Sequence, residues 1–197
     1  MDALTCILTR RSALSLTEPA PSPAQLAQIL RTATLAPDHK LLRPWRFVLV
    51  RGEERQRLGE ALAAAAIQAD PAAEPTALAK QRGKPLRAPL LVALIASPHA
   101  TAKLPKWEQQ ASTAAAAQNI CLAAHALGVG SAWKSTHYGT AASVRAFFAM
   151  HAQEDLFGWI ELGTAAAGYT PKQRPEVPLA DVVSEIIEGH AVPYRAV

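Results

Sequence analysis

Apolar residues recur along this chain with two periods, and the change from one to the other marks out its elements. In residues 2–9, Leu4, Ile7 and Leu8 fall on one side of a short helix, with residues 10–15 at its end or just beyond. Ser22-Pro23-Ala24-Gln25 reads as a helix start: a serine cap, proline at the first helical position, and glutamine three after the cap. Leu26, Ile29, Leu30 and Ala33 then share a face, and Ala36-Pro37 closes the pattern, because proline disfavours helix in the residue before it. Residues 45–50 read as a strand. Gly52 breaks it, and residues 53–68 form a helix with Leu58, Leu62 and Ala65 inward.

Residues 70–75 carry two prolines and no pattern, which predicts a surface connection. A basic stretch, 80–87, leads into the unbroken apolar run 88–96, the pattern of a strand buried on both faces. The longest helix is predicted over 107–127, with Gly128 as its C-terminal cap. Its middle, 111–117, is almost entirely small residues, which let another helix approach closely. A buried central helix and a dimer seam both explain that. Residues 129–135 continue as a strand or extended loop. Residues 141–150 form a helix with Val144, Phe147 and Phe148 inward, and 156–162 a strand. Residues 163–178 are irregular, and 179–188 read as a last short helix. Helices and strands interleave, yet Gly128-Val129-Gly130 lacks the third glycine of a dinucleotide-binding turn. The expected class is α+β, with a central mixed, mainly antiparallel sheet flanked by helices.

Length and composition narrow the class. A chain of 197 residues suits one domain, 1–197, with a real core. Half the residues are hydrophobic and 18% are charged, which excludes a disordered chain. The net charge of +4 suits an anionic ligand, but there is no dense Lys/Arg run and residues 51–57 (RGEERQR) mix signs, so nucleic acid is not an expected partner. Cys6 and Cys121 sit among apolar residues on helical patterns, as structural thiols do. Six histidines are scattered without metal-ligand spacing, and neither a G-x-S-x-G nor a Walker loop occurs. The opening residues lack a basic region followed by a long apolar one, and no apolar stretch is long enough to span a bilayer. A cytoplasmic protein, away from membranes, is the default expectation.

Candidate chemistry concentrates in two early stretches. Thr9-Arg10-Arg11-Ser12 offers planar bidentate donors beside a hydroxyl, a set suited to phosphate. About thirty residues on, APDHKLLRPWRFVLV (36–50) places Asp38, His39 and Lys40 in a loop between a helix and a strand, where binding groups often lie. These two stretches resemble the nitroreductase family of FMN enzymes, in particular its small bacterial NAD(P)H branch. Pro105-x-Trp107-Glu108, Gly130-x-x-Trp133-Lys134-Ser135 and Leu162-Gly163-Thr164 extend the likeness along nearly the whole chain.

The resemblance implies a homodimer with FMN at the interface. On the matching positions, Arg10, Arg11 and Ser12 would contact FMN phosphate, ribityl and pyrimidine groups. Leu35 and His39 would reach the flavin from the second subunit, and Trp133, Lys134 and Ser135 would run past it. Each has a plainer reading: a basic helix end, a histidine tying down its own turn, a core tryptophan beside an exposed lysine. Some relatives use the segment matching 123–128 for pyridine nucleotide, yet a helix C-terminus does not attract phosphate. Lys172 and Arg174 are further phosphate candidates. Two positions depart from the family: Leu14 stands where many members have Lys or Arg, and Leu41 where many have Asn. Arg11 is then expected to supply the cation near the flavin pyrimidine. The implied activity is reduction of nitroaromatic, quinone or similar acceptors, with NAD(P)H as co-substrate and hydride passing through flavin N5. Dehydrogenation of a non-nitro substrate, and flavin binding without turnover, are the alternatives.

Overall fold

The computed structural model describes residues 1–100 and 103–195. Six α-helices, α1 (Ala3–Thr9), α2 (Pro23–Ala33), α3 (Glu54–Ala69), α4 (Pro75–Gly83), α5 (Lys106–Ala126) and α6 (Ala142–Phe147), surround a sheet. Its strands are β1 (Leu16–Thr17), β2 (Trp45–Arg51), β3 (Leu90–Ala96), β4 (Gly130–Lys134) and β5 (Asp155–Ala165). A hairpin, β6 (Ser184–Ile187) with β7 (His190–Pro193), follows apart from it.

β5 organises the sheet. One edge pairs with β3, which pairs in turn with β2; the other edge is shared, β4 alongside 159–163 and β1 alongside 164–165. Every pairing among the described residues is antiparallel, so the expectation of a mixed sheet is corrected to an antiparallel one. β3 is buried along its whole length, as its unbroken apolar run requires. Leu90, Val92 and Leu94 pack with α2 and α5, while Leu91, Ala93 and Ile95 pack with α3 and α6. The buried face of α5 is built from Gln109, Ser112, Thr113, Ala116, Ala117, Ile120, Cys121 and Ala124, spaced three and four apart. Its small side chains let α2 lie close against it.

The predicted caps form. Ser22 Oγ accepts from the Gln25 amide, Gln25 Oε1 accepts from the Ser22 amide, and Gly128 ends α5 at φ 73°. Three segments differ from expectation. Residues 75–83 form α4, started by Pro75 at the first helical turn, where no element was expected. None of its side chains is buried. It lies against α3, whose Gly59 comes so near that an added Cβ would meet the Arg82 carbonyl oxygen at 2.5 Å. The predicted helix over 179–188 is a 3-10 turn (Leu179–Asp181) followed by the β6–β7 hairpin. Val182, Val183, Ile186 and Ile187 are β-branched, and Glu188-Gly189 takes positive φ at both residues, the two-residue turn that suits a twisted hairpin. In α1, Leu4, Ile7 and Leu8 do share a side, but that side faces solvent and only Cys6 is buried.

Candidate functional site

The arginine pair sits where α1 runs into the sheet. Asp2 caps α1, its Oδ1 accepting from the Thr5 amide at 3.0 Å, and the Arg10 amide closes the other end on the Cys6 carbonyl at 3.1 Å. Arg11 Nη1 donates to the carbonyls of Leu8 (2.8 Å) and Arg10 (2.9 Å), so its guanidinium braces the helix end. Its remaining N–H groups, and the whole guanidinium of Arg10, have no hydrogen-bond partner among the described residues. The chain then docks on β4: the Ala13 amide donates to Ser131 O at 2.9 Å, and the Tyr169 hydroxyl donates to Ser12 O at 2.8 Å. Arg11, His125, Ser131 and Tyr169 line a cavity of about 300 Å³ here.

The electrostatics of this pocket are cationic. Burial first, then the charges of Arg10 and Arg11, lower the His125 pKa, which favours a neutral ring. That ring lies 2.9 Å from the Thr9 hydroxyl. Burial raises the Cys121 pKa, with Arg10 and Ser131 pulling the other way, so this thiol stays protonated and inert. The segment 123–128 thus ends beside the arginines. Pro171 lines the same cavity; Lys172 and Arg174 follow it in exposed, irregular chain.

β4 carries the second predicted cluster away from this pocket. Trp133 Nε1 donates to Phe157 O at 2.9 Å, leaving the indole about a third exposed. Lys134 pairs in register with Trp159, and Ser135 follows, exposed, at the strand end. Gly158 shapes this end. Its φ is 90°, and an added Cβ would lie 1.9 Å from the Lys134 carbonyl oxygen. On the face of β5 toward α3 and α6, Glu161 is buried; burial raises its pKa, while Lys134 and Arg87 pull it back. The nearby Trp159 indole N–H is buried without a partner.

Leu35 and His39 lie elsewhere. Leu35 is exposed beyond α2 and shares a shallow groove of about 460 Å³ with Cys6, Ile7, Leu122 and Ala123. His39 begins a 3-10 turn (His39–Leu41), and its Nδ1 lies 2.5 Å from Glu108 Oε1 in the first turn of α5. The loop is wound tightly: Lys40, Leu41 and Arg43 all have φ between 50° and 62°. Left-handed backbone costs a residue with a side chain on the order of 1–2 kcal/mol, so such a loop persists only under constraint. Asp38 Oδ2 supplies part of that constraint, accepting from the Arg43 amide at 2.6 Å. Glu108 and His125 stand at opposite ends of α5, about 25 Å apart at a rise of 1.5 Å per residue. One protomer therefore joins the arginine pair to the strand that carries Trp133 and Lys134, through the Ala13 amide on Ser131 O, and holds His39 at the other end of α5. Leu14 and Leu41, the departures from the family, are both exposed.

Sequence reasoning missed Tyr169, Glu161 and the partnership of Glu108. Tyr169 lies in a stretch with no pattern, so nothing announced it. A charged residue inside the apolar run LFGWIEL was a usable signal for Glu161. Among the described residues no group of three or more His, Cys, Asp or Glu side chains could hold a metal, and no helix is long and apolar enough to cross a membrane.

A family model described as "Nitroreductase family" matches residues 7–164. The chain belongs to the nitroreductase family. Among its nitroreductase relatives is the Escherichia coli (strain K12) protein named "Putative NAD(P)H nitroreductase YdjA", 40% identical over 164 residues, spanning 83% of this chain and 88% of that one. The fold matches the nitroreductase-like family protein of Bacillus cereus with a TM-score of 0.80 at 25% identity, covering 96% of this chain and 97% of the other. It also matches the nitroreductase with bound FMN from Bacteroides fragilis, with a TM-score of 0.73 at 23% identity, over 95% and 100% of the two chains. The antiparallel sheet flanked by helices is thus the nitroreductase fold.

Proposed function

We propose that this nitroreductase is a single-domain, FMN-dependent oxidoreductase that consumes NAD(P)H and works as a homodimer. The observation that carries the reading is the docking of Arg10-Arg11-Ser12 onto β4, beside the cavity of about 300 Å³ and on the strand that bears Trp133 and Lys134. The donor chemistry fits a flavin phosphate: Arg10 is uncommitted, and Arg11 retains N–H groups beyond the helix carbonyls. The relative from Bacteroides fragilis is described with bound FMN, and the Escherichia coli one is named for NAD(P)H.

A second copy completes the site. His39 contacts Glu108, and the arginine pair lies near His125 at the other end of α5, about 25 Å along the helix, so His39 serves the same kind of flavin site only across an interface. Leu4, Ile7, Leu8 and Leu35 are exposed apolar side chains that such an interface would cover, Ile7 and Leu35 lining one groove.

Bound beside these residues, FMN would supply the hydride-accepting chemistry that links NAD(P)H to a nitroaromatic, quinone or similar acceptor. The chain's own groups bind, orient and polarise. Arg10 and Ser12 hold phosphate and ribityl oxygens. Trp133, Lys134 and Ser135 border the ring, and Leu35 packs on it from the second copy. Arg11 provides the cation near the pyrimidine that Leu14 does not, stabilising charge that builds there on reduction. No side-chain acid takes part in hydride transfer itself.

An absorbance spectrum of the purified protein, repeated under nitrogen after NADH and after NADPH, tests this. Flavin bands that bleach with a nicotinamide are expected; a colourless protein that ignores added FMN rejects the reading. In Arg11→Ala, FMN binds about tenfold more weakly and is harder to reduce. Unchanged affinity and potential reject that role. The exposed leucines at 14 and 41, in place of polar flavin contacts, favour a second reading, flavin binding without turnover. Bands that persist after both nicotinamides would establish it.

A further inference from the structure

The contact between His39 and Glu108 has a chemical direction. An ionised carboxylate only accepts hydrogen bonds, so the proton of this 2.5 Å contact sits on the imidazole Nδ1. We propose that Glu108 is a positioning residue: it keeps the proton of this contact on His39 Nδ1 and so turns Nε2 toward the second copy's FMN. While the ring is neutral, Nε2 can only accept, so the group it takes is a hydroxyl or N–H, such as a ribityl hydroxyl. This rests on the FMN-dimer reading above.

Both partners are held for this task. Glu108 belongs to the first turn of α5, and that turn is anchored on either side. Gln109, next in the chain, is buried and exchanges hydrogen bonds with the His99 backbone, taking its amide at 2.8 Å and donating to its carbonyl at 3.1 Å. Thr113, one turn on, donates to Pro44 O at 3.1 Å, tying α5 to the far end of the His39 loop. Lys106, the nearest cation in sequence, is taken by Asp155 at 2.6 Å and does not compete for Glu108. The loop adds its own restraint through the Asp38 bracket and the left-handed Lys40, Leu41 and Arg43. A histidine that merely tied down its own turn would bond within the loop. This one crosses 69 residues to another element and leaves more than half its side chain exposed, with no partner for Nε2 among the described residues. A fixed Nδ1 with an open Nε2 is the arrangement by which carboxylates set the tautomer of working histidines.

The test reads the tautomer directly. Histidine nitrogen NMR spectra are recorded on the protein at a pH where the imidazoles are neutral, for the wild type, Glu108→Ala and Glu108→Gln. The wild type is expected to show His39 protonated on Nδ1. Glu108→Ala should revert mainly to the Nε2–H form preferred by free imidazole. Glu108→Gln, which keeps an acceptor oxygen at similar reach, should retain Nδ1–H. FMN titrations then complete a cycle. Glu108→Ala and His39→Ala should each weaken binding about tenfold, and the double variant no further. An unchanged tautomer in Glu108→Ala, or losses that simply add, would overturn the role of Glu108 while leaving FMN binding intact. A wild type that shows the Nδ1–H signature but takes up no FMN would instead overturn the functional reading, and with it the ligand assigned to Nε2.

Discussion

The two ends of β5 each bury a carboxylate, and they treat it in opposite ways. Glu154, just before the strand, is 1% exposed, and Glu161, within it, is 2% exposed. Glu154 accepts from Arg46 Nε and Nη2 at 2.8 Å each and from the His151 amide at 2.9 Å. The Arg46 hydrogen bonds outweigh the cost of burial and hold its pKa at about 2. Glu161 has no comparable partner. Burial raises its pKa, and the charges of Lys134 and Arg87 recover only part of the difference. Depth therefore does not decide the charge of a buried acid; the donors around it do. The first end is matched throughout: Lys106 and Gln110 also hold Asp155 there. The second, with Glu161 and the Trp159 indole, pairs edge to edge with the strand that carries Trp133 and Lys134. Glu161 is thus the less compensated of the two buried acids, with Lys134, Arg87 and the Trp159 indole offsetting only part of its burial.

Gly158 stands between the two ends, and changing it should have the largest effect. Gly158→Ala must both leave φ 90° and clear the Lys134 carbonyl, so it should destabilise by on the order of 4 kcal/mol and strip the protein of FMN. A urea midpoint within experimental error of the wild type would show that β4 and β5 are not held this closely. Glu154→Gln comes next. It leaves Arg46 without its counter-charge, a loss of about 3 kcal/mol at pH 7 in the same assay. The pH dependence should change with it. A pKa lowered from 4.5 to about 2 gives stability that is complete above 4.5 and fades as pH falls toward 2, and the variant should lack that acid limb. Glu161→Gln should act oppositely and least. Here the folded protein holds its proton to a higher pH than the unfolded chain does. Wild-type stability therefore falls as pH rises from 4.5 through the raised value, and the variant should remove that fall, gaining about 1 kcal/mol at neutral pH. A loss at neutral pH would mean that Lys134 and Arg87 match Glu161 fully, and the contrast between the ends would vanish.

What could be read in advance was local. The apolar run of β3, the capping box at Ser22 and the glycine after α5 each lie in a few consecutive residues, and each formed as expected. Arg10–Ser12 and Trp133–Ser135 are likewise runs of consecutive residues, which is why the sequence alone could offer them as candidates. The segment 179–188 misled because Leu179, Val182, Val183, Ile186 and Ile187 also satisfy helical spacing. All five are exposed among the described residues, so no burial favours the helix, and the β-branched residues take the hairpin. β1 is two residues long and exists only through its pairing with β5. The contacts of Glu108 with His39 and of Tyr169 with Ser12 span 69 and 157 residues, so only folding brings them together.

Gly59 has a consequence for how the chain tolerates change. α4 buries no side chain of its own, so nearly every residue along it is open to drift. It is held to α3 by the close approach of Gly59 to the Arg82 backbone and by the Arg82–Glu60 ion pair at 2.9 Å. A single methyl group on α3 would cast α4 loose and expose it to proteases, whereas most substitutions within α4 would pass unnoticed. Selection on that helix therefore acts on a residue outside it.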